Sequence, residues 1–408
     1  MFTQGWLLLG GLLLALGLGV HAGGPVLVGV VVLLGAGVSY LSHRTCLAGV
    51  EVRRVFTPRR AFYGEQVVLT LEVTNRKPLP LAWLEVTDEL PEEVTPRRGR
   101  VVPSVRQRRQ HLVHLFTLRG YQRVRRRIPL TCTARGYFPL GPLRLRSGDL
   151  FGMTSRGLDL PQTDVLLVYP RVVPLAALGL PALHPMGDHD VRQPLLDDPT
   201  RTVGVRDYLT GDPYRRIHWK ATARLGRLQS RQYEATVAHR VAIFLNLDTL
   251  GAYAEYRGFV RPLLELNIMI AASVAAWATA AGHPVGLVAN GYLHGAVQRV
   301  RLAPALGPGH LGAILEALAR VLPTPVVPIG DLMYLESGAL PWGATAVVVT
   351  AVVDPALRVG VQRLRAAGHA VILILVGDRV EDPALGVPTW RVRGEVGWRA
   401  MDAIRPAS

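Results

Sequence analysis

Lysine is almost missing from this chain. Among 408 residues only Lys77 and Lys220 occur, so the 46 basic residues are nearly all arginine. Charge of either sign is scarce at 19%, against about 25% in an average soluble protein. That scarcity excludes a disordered, self-repelling chain. Cysteine occurs twice, as Cys46 and Cys132, with no C-x-x-C spacing and no disulfide framework; two ordinary reduced thiols are expected. No G-x-S-x-G, H-E-x-x-H or G-x-x-x-x-G-K-[ST] pattern is present, which removes the commonest signatures of an activated serine, a zinc peptidase and a phosphate-binding loop. What is present is oily and basic: 49% hydrophobic residues and a formal charge of +16. A membrane protein with a positive cytoplasmic flank and a nucleic-acid binder both fit that balance.

The first 42 residues hold no Lys, Arg, Asp or Glu. Two apolar runs, residues 6–20 and 25–41, are separated by His21-Ala22-Gly23-Gly24-Pro25. Each approaches the ~17–25 residues that span hydrocarbon, and Gly-Gly-Pro breaks a continuous helix. A helical hairpin is predicted. Met1-Phe2-Thr3-Gln4 lacks the basic start of a signal peptide. His43, Arg44, Arg53, Arg54, Arg59 and Arg60 follow the second run, so the positive-inside rule predicts a two-pass cell-membrane protein with both termini and the bulk of the chain cytoplasmic.

Residues 44–169 alternate in short runs, as in Gln66-Val67-Val68-Leu69-Thr70-Leu71-Glu72-Val73-Thr74, and residues 82–87, 111–117, 125–133 and 143–145 behave alike. This predicts an antiparallel β-sandwich. It is strongly basic, with 22 Arg+Lys against 11 Asp+Glu in residues 44–166. A proline-rich linker is expected over 170–204; its His184-Pro185-Met186-Gly187-Asp188-His189-Asp190 reads as a solvated turn, because Pro and Gly prevent a helix that would align two His. Beyond residue 205 the pattern changes. Apolar runs at 241–247, 285–290, 344–353 and 370–376 alternate with helical stretches at 261–281, 311–322 and 355–367. That alternation predicts an α/β, Rossmann-like domain with a parallel sheet covered on both faces.

Between the modules lies the densest stretch: Arg206-Asp207-Tyr208, Gly211-Asp212, Arg215, Ile217-His218-Trp219-Lys220-Ala221, Ala223-Arg224, then a strand ending in Tyr233-Glu234. Asp212-Pro213 reads as an N-cap and first helical residue, with Tyr214, Ile217 and Ala221 as the apolar stripe. Upstream stand Arg135-Gly136-Tyr137, Leu140-Gly141-Pro142-Leu143-Arg144-Leu145, Asp149 and Phe151-Gly152. On these residues the sequence resembles the Domain of Unknown Function 58 family. The resemblance implies a membrane-anchored protein with a von Willebrand factor A-like domain. It also implies a MoxR-type AAA+ ATPase as partner, with a transglutaminase-like membrane protein as a second; it brings no settled activity or cofactor.

A metal-binding von Willebrand A domain needs D-x-S-x-S after its first strand; here the loop reads Asp248-Thr249-Leu250-Gly251-Ala252, with both serine oxygens absent. A degenerate site without metal is expected, with Asp248 capping its own turn. Asp212, His218 and Lys220 are the conceivable acid/base set, but His218 and Lys220, two apart on a helix, do not share a face. The structural expectation is that Asp212 caps, Trp219 packs and the arginines pair with Asp207 and Glu234. Arg106, Arg108, Arg109, Arg123, Arg125, Arg126 and Arg127 lack interleaved aromatics or a base-reading motif, so an anionic lipid surface is favoured over nucleic acid. The reading is a non-enzymatic membrane-anchored adaptor; its rivals are a metal-dependent adhesion domain at Asp248 and a membrane-associated enzyme using Asp212, His218 and Lys220.

Overall fold

The structure, a computed structural model, describes residues 2–149, 154–180, 197–209, 214, 217–235, 240–250, 258–296, 298–341, 343–378, 380 and 384–393. The chain forms two compact units, Met1–Pro170 and Arg171–Ser408.

The first unit opens with an apolar helix pair, α1 (Phe2–Gly19) and α2 (Gly23–Thr45). The break is shorter than Gly-Gly-Pro implies. His21 turns the chain at φ 54°, and Gly23, Gly24 and Pro25 form the first turn of α2, where proline's missing N–H costs nothing. Glycines let the helices approach closely: a Cβ on Gly17 would lie 2.6 Å from the Val26 amide nitrogen, and one on Gly29 would lie 2.8 Å from that of Leu14. Apolar helices in lipid associate through small residues in the same way. Gly29→Leu is therefore expected to destabilise the pair by about 1–3 kcal/mol, lowering the thermal midpoint in mild detergent. Gly35→Leu, at a position where an added Cβ meets nothing within 4 Å, is the control that leaves it unchanged.

The β-rich body contains β1 (Val50–Thr57), β2 (Arg60–Phe62), β3 (Gln66–Asn75), β4 (Leu81–Pro91), β5 (Val94–Pro96), β6 (Arg100–Pro103), β7 (Arg109–Leu118), β8 (Arg123–Cys132), β9 (Gly136–Leu140), β10 (Leu143–Gly148), β11 (Ser155–Leu160) and β12 (Asp164–Tyr169). Two antiparallel sheets, ordered β1-β3-β8-β5 and β11-β10-β4-β7-β6, share one apolar core. Period-2 alternation supplies it: Val67, Leu69, Leu71 and Val73 of β3 meet Leu84, Val86 and Leu112 in a single cluster. A third sheet, β2-β12-β9, joins them. Both cysteines are free and buried, and burial pushes the Cys132 thiol up to about 12.

The alternation also carries one arginine inward. Arg54 lies between Val52 and Phe56 on the buried face of β1. Its guanidinium pairs with Asp88 at 2.6 Å and Asp164 at 3.0 Å, and donates to the carbonyls of Leu140 (3.0 Å) and Gln162 (2.9 Å).

The second unit contains β13 (Asp197–Asp207), α3 (Trp219–Leu225), β14 (Gln229–Ala235), β15 (Val241–Leu245), α4 (Arg261–Ala280), β16 (Val285–Tyr292), β17 (Arg299–Ala305), α5 (His310–Arg320), α6 (Ile329–Ser337), β18 (Thr345–Thr350), α7 (Pro355–Ala366), β19 (Ala370–Val376) and β20 (Thr389–Val392). The main sheet runs β17-β16-β15-β18-β19-β20. Five strands are parallel. The expectation of a purely parallel sheet is corrected at one edge, where β17 pairs antiparallel with β16. Phe244, Val348 and Leu373 pack with Met333, Leu357 and Val361 of α6 and α7. Gly330 makes that layer tight, since a Cβ there would lie 1.8 Å from the Ala356 carbonyl oxygen. Residues 171–180, within the span read as a linker, include buried Val172, Val173, Leu175 and Leu178, and the Val173 amide donates to Ser273 Oγ of α4 at 3.0 Å. The 184–190 motif lies outside the described residues.

Among the described residues two helices are long and apolar enough to cross a membrane, α2 and α4. Of these α4 is a core helix, 78% buried, whereas α2 is 17% buried; the apolar stretch of α1, Gly5–Gly19, is shorter.

Candidate functional site

The signature segment is built on a two-stranded antiparallel ladder. β13 pairs with β14, and Arg206 stands opposite Ser230 and Asp207 opposite Gln229. The chain between them folds back: the His218 amide donates to the Gln229 carbonyl at 2.8 Å, and the Gln229 amide to Thr222 Oγ1 at 3.0 Å. Helix α3 starts later than Asp212-Pro213 implies. His218 is its N-cap, and its Nδ1 accepts from the Ala221 amide at 3.0 Å; Gly226, at φ 67°, ends it. Ile217 is buried, but as an isolated bridge to Ser230 rather than as part of a helical stripe.

Asp207 is held by Gln229 Nε2 at 2.5 Å and by Arg227 at 3.2 Å. Arg227 is not among the arginines the sequence singled out. Arg206 donates to the Asp207 carbonyl at 3.1 Å. Tyr208 stacks on Tyr214, ring centroids 6.3 Å apart. The expectation that Trp219 packs is corrected: it is 67% exposed, and Tyr214 is 79% exposed. The reason is the length of α3. None of its seven residues is buried, so among the described residues no apolar layer takes an indole at its first position. Lys220 and Arg224 are exposed on the same short helix. Gly211, Asp212 and Arg215 lie outside the described residues; Tyr233 and Glu234 fall in β14, with side chains not described. The set Asp212, His218 and Lys220 is thus represented by His218, engaged as a cap, and by exposed Lys220.

Open α/β sheets bind ligands at the C-terminal edge of their parallel strands. Asp248 Oδ1 accepts from the Leu250 amide at 2.9 Å, capping its own turn. Among the described residues no three His, Cys, Asp or Glu side chains cluster as metal ligands. A buried amide network fills the edge instead. Asn246 Oδ1 accepts from the Asp248 amide (3.0 Å) and from Asn290 Nδ2 (2.8 Å), and Asn246 Nδ2 donates to Thr350 Oγ1 (2.9 Å). Asn290 Oδ1 takes the Leu247 amide at 2.8 Å, and Asn267 Nδ2 donates to the Asn246 carbonyl at 3.0 Å. These residues join the ends of β15, β16 and β18 to α4. Sequence reasoning missed them because residues 241–247 read as a continuous apolar run; the signal was Asn246 interrupting that run, and Asn267 interrupting an apolar helix.

Comparison with known proteins places this segment. The uncharacterized protein YeaD of Bacillus subtilis (strain 168) is 22% identical over 202 residues, which are 47% of this chain and 46% of that protein. The match therefore spans less than half of the relative. Among solved structures, the cohesin module from the Clostridium perfringens ATCC13124 family 33 glycoside hydrolase is 12% identical over 29% of this chain and 95% of that one, with a TM-score of 0.21. The Bacillus subtilis sporulation control protein Spo0M is 12% identical over 30% of this chain and 49% of that one, with a TM-score of 0.18. Likenesses this slight carry no argument about fold or function. Residues 204–390 of this chain match the model of the family described as protein of unknown function DUF58.

Proposed function

We propose that this chain is a membrane-anchored, non-catalytic adaptor. In this reading α1 and α2 cross the membrane as a hairpin and leave both termini and both units on the cytoplasmic side. The α/β unit is a von Willebrand A-like domain whose strand-end site no longer takes a metal. A MoxR-type AAA+ ATPase, implied by family resemblance, docks on the signature segment.

The observation that carries the reading is the exposure of Trp219 and Tyr214 beside Lys220 and Arg224. Trp, Tyr and Arg are the residues that anchor protein interfaces; here the His218 cap holds the start of the helix that carries Trp219, and Tyr214 stacks on Tyr208 just past β13. The strand edge supports a non-catalytic role: the Oδ1 atoms of Asp248, Asn246 and Asn290 each accept a backbone amide, and Asn246 Nδ2 donates to Thr350 Oγ1.

Affinity purification from native membranes in mild detergent tests this. The wild type is expected to enrich an AAA+ ATPase. Trp219→Ala should reduce the yield at least tenfold, corresponding to about 1.4 kcal/mol or more for an interface anchor. Recovery of no protein partner by the wild type, or undiminished recovery by Trp219→Ala, would overturn the proposal.

A further inference from the structure

The end of the first unit nearest the foot of α2 is built as a platform from three separate pieces of chain. Helix α2 finishes at Thr45, and Lys77 donates its Nζ to the carbonyls of Thr45 and Cys46, the latter at 2.7 Å. A cation on the last carbonyls of a helix satisfies orphan acceptors and the negative end of the dipole. The Arg76 amide donates to the Gly49 carbonyl at 2.8 Å, just past the helix. Lys77 belongs to the β3–β4 loop, residues 76–80, and that loop is bonded to the β7–β8 loop, residues 119–122. The Tyr121 amide donates to the Lys77 carbonyl at 3.1 Å, and Asn75, fully buried, donates Nδ2 to the carbonyls of Leu79 (2.9 Å) and Arg119 (3.0 Å). The loops touch back to back, since a Cβ on Gly120 would lie 2.1 Å from the Pro78 oxygen.

Such bracing presents side chains of a particular kind. Tyr121 is 72% exposed and Leu79 43% exposed, with Pro78 and Pro80 exposed beside them. Arg119 and Arg44 are exposed at the same end; Arg76 is too, although Glu51 pairs with it at 2.8 Å. Tyr121 holds φ 55°, a left-handed conformation that glycine adopts more readily. An aromatic ring kept in a strained turn and pointed at solvent is poorly explained by folding alone. Tyrosine, leucine and arginine side by side match the chemistry of a bilayer interface, where aromatic rings and aliphatic groups sit at headgroup depth and arginines meet phosphates.

We propose that the loops 76–80 and 119–122 form a second membrane contact of the first unit. Leu79 and Tyr121 enter the headgroup layer of an anionic bilayer beside the end of α2, and Arg44 and Arg119 meet its phosphates. This rests on α1 and α2 being inserted in the membrane, and it adds that the β-rich body sits on the lipid in one fixed orientation rather than swinging on a tether.

Single cysteines labelled with an environment-sensitive dye test it in the full chain, reconstituted in phosphatidylcholine vesicles with or without phosphatidylglycerol. Cys46 and Cys132 are buried and remain unlabelled. The positions are Leu79→Cys and Tyr121→Cys, with Val31→Cys on the exposed side of α2 and the fully exposed Val105→Cys as references. Val105 precedes β7 and Tyr121 follows it, a separation of about 30 Å along ten extended residues. Blue-shifted emission and quenching by nitroxide lipids are expected at 31, 79 and 121 but not at 105. Arg119→Gln should weaken the contact at 121 about fivefold in phosphatidylglycerol vesicles and leave it unchanged in pure phosphatidylcholine. Quenching at 31 with 79 and 121 behaving like 105 would overturn the second contact and leave the hairpin standing. No quenching at 31 would overturn both. Equal contact on the two lipids would overturn the part assigned to Arg119.

Discussion

Replacing Arg54 with methionine is expected to destabilise the first unit by about 3–5 kcal/mol, the range seen when one member of a buried ion pair is removed. The arginine side chain has no exposed surface and neither does that of Asp88. Its guanidinium donates four hydrogen bonds, two to carboxylates and two to carbonyls. Methionine fills the volume but leaves Asp88 charged and unpaired, with Oδ2 already lacking a partner. Arg54→Lys should recover little, because one ammonium cannot reach four acceptors arranged for a planar fork. A double replacement, Arg54→Met with Asp88→Leu, should recover most of the loss, since it removes the orphaned charge as well.

The loss should depend on pH in a definite direction. Burial pushes the Asp88 carboxyl up to about 6, even though Arg54 pulls it down. Without Arg54 it must rise further. Between its ordinary value of 3.8 and that raised value, the folded variant binds more protons than the unfolded chain, so its stability increases as pH falls. His114 works the other way. Burial, then the charge of Arg126, hold it down at about 4 against an ordinary 6.5, so its contribution is present above 6.5 and is lost as pH falls through 4. The two titrations overlap in the wild type, and the difference between wild type and Arg54→Met isolates Asp88. Chemical unfolding in detergent at pH 8 and pH 5 should show a larger deficit at pH 8. A deficit equal at both, or below about 1 kcal/mol at pH 8, would show that Arg54 does not carry this load.

The position of Arg54 was legible in the sequence and its role was not. Alternation in β1 puts Val52, Arg54 and Phe56 on one face, but the carboxylates that neutralise it are 34 and 110 residues away, beyond the reach of any local pattern. The same division runs through the molecule. Strands such as β3, β15 and β19 were legible because burial on one or both faces writes itself as period 2 or as an unbroken apolar run. The edge strand β17 was not, because its alternation, Arg299-Val300-Arg301-Leu302, lasts only four residues before Ala303-Pro304 interrupts it. In the signature segment the residue types drew attention correctly to a dense site, yet the helix start was misplaced. Asp212-Pro213 is the stronger local signal, whereas His218 caps through a ring nitrogen, which cap preferences do not anticipate. Packing of Trp219 is the expectation because large aromatics usually pack; its exposure is decided by tertiary context, since among the described residues none of α3 is buried.

Asn290→Leu should be the most damaging single change in the second unit, about 2–5 kcal/mol, because it orphans several buried groups at once. The Leu247 amide loses its acceptor, Asn246 Oδ1 loses one of two donors, and the Val327 carbonyl loses the Nδ2 that reaches it at 3.1 Å. Leucine is close in size, so the loss reflects unpaired polarity rather than a cavity. Asn290→Asp separates the two halves of the amide. It keeps an acceptor for Leu247 but turns a donor into a carboxylate oxygen facing two other oxygens, so it should be tolerated better at low pH, where the acid can donate a proton. Hydrogen exchange resolves where the loss falls. Amide protection should drop in β15, β16 and β18, which this network joins, with β3 and β4 of the first unit as internal reference. If Asn290→Leu left protection at the ends of those strands unchanged, the amides would be incidental to the fold. The edge would then be a surface free to bind a ligand. If protection collapses as expected, the strand edge that binds ligands in other open α/β sheets is here committed to holding the sheet together.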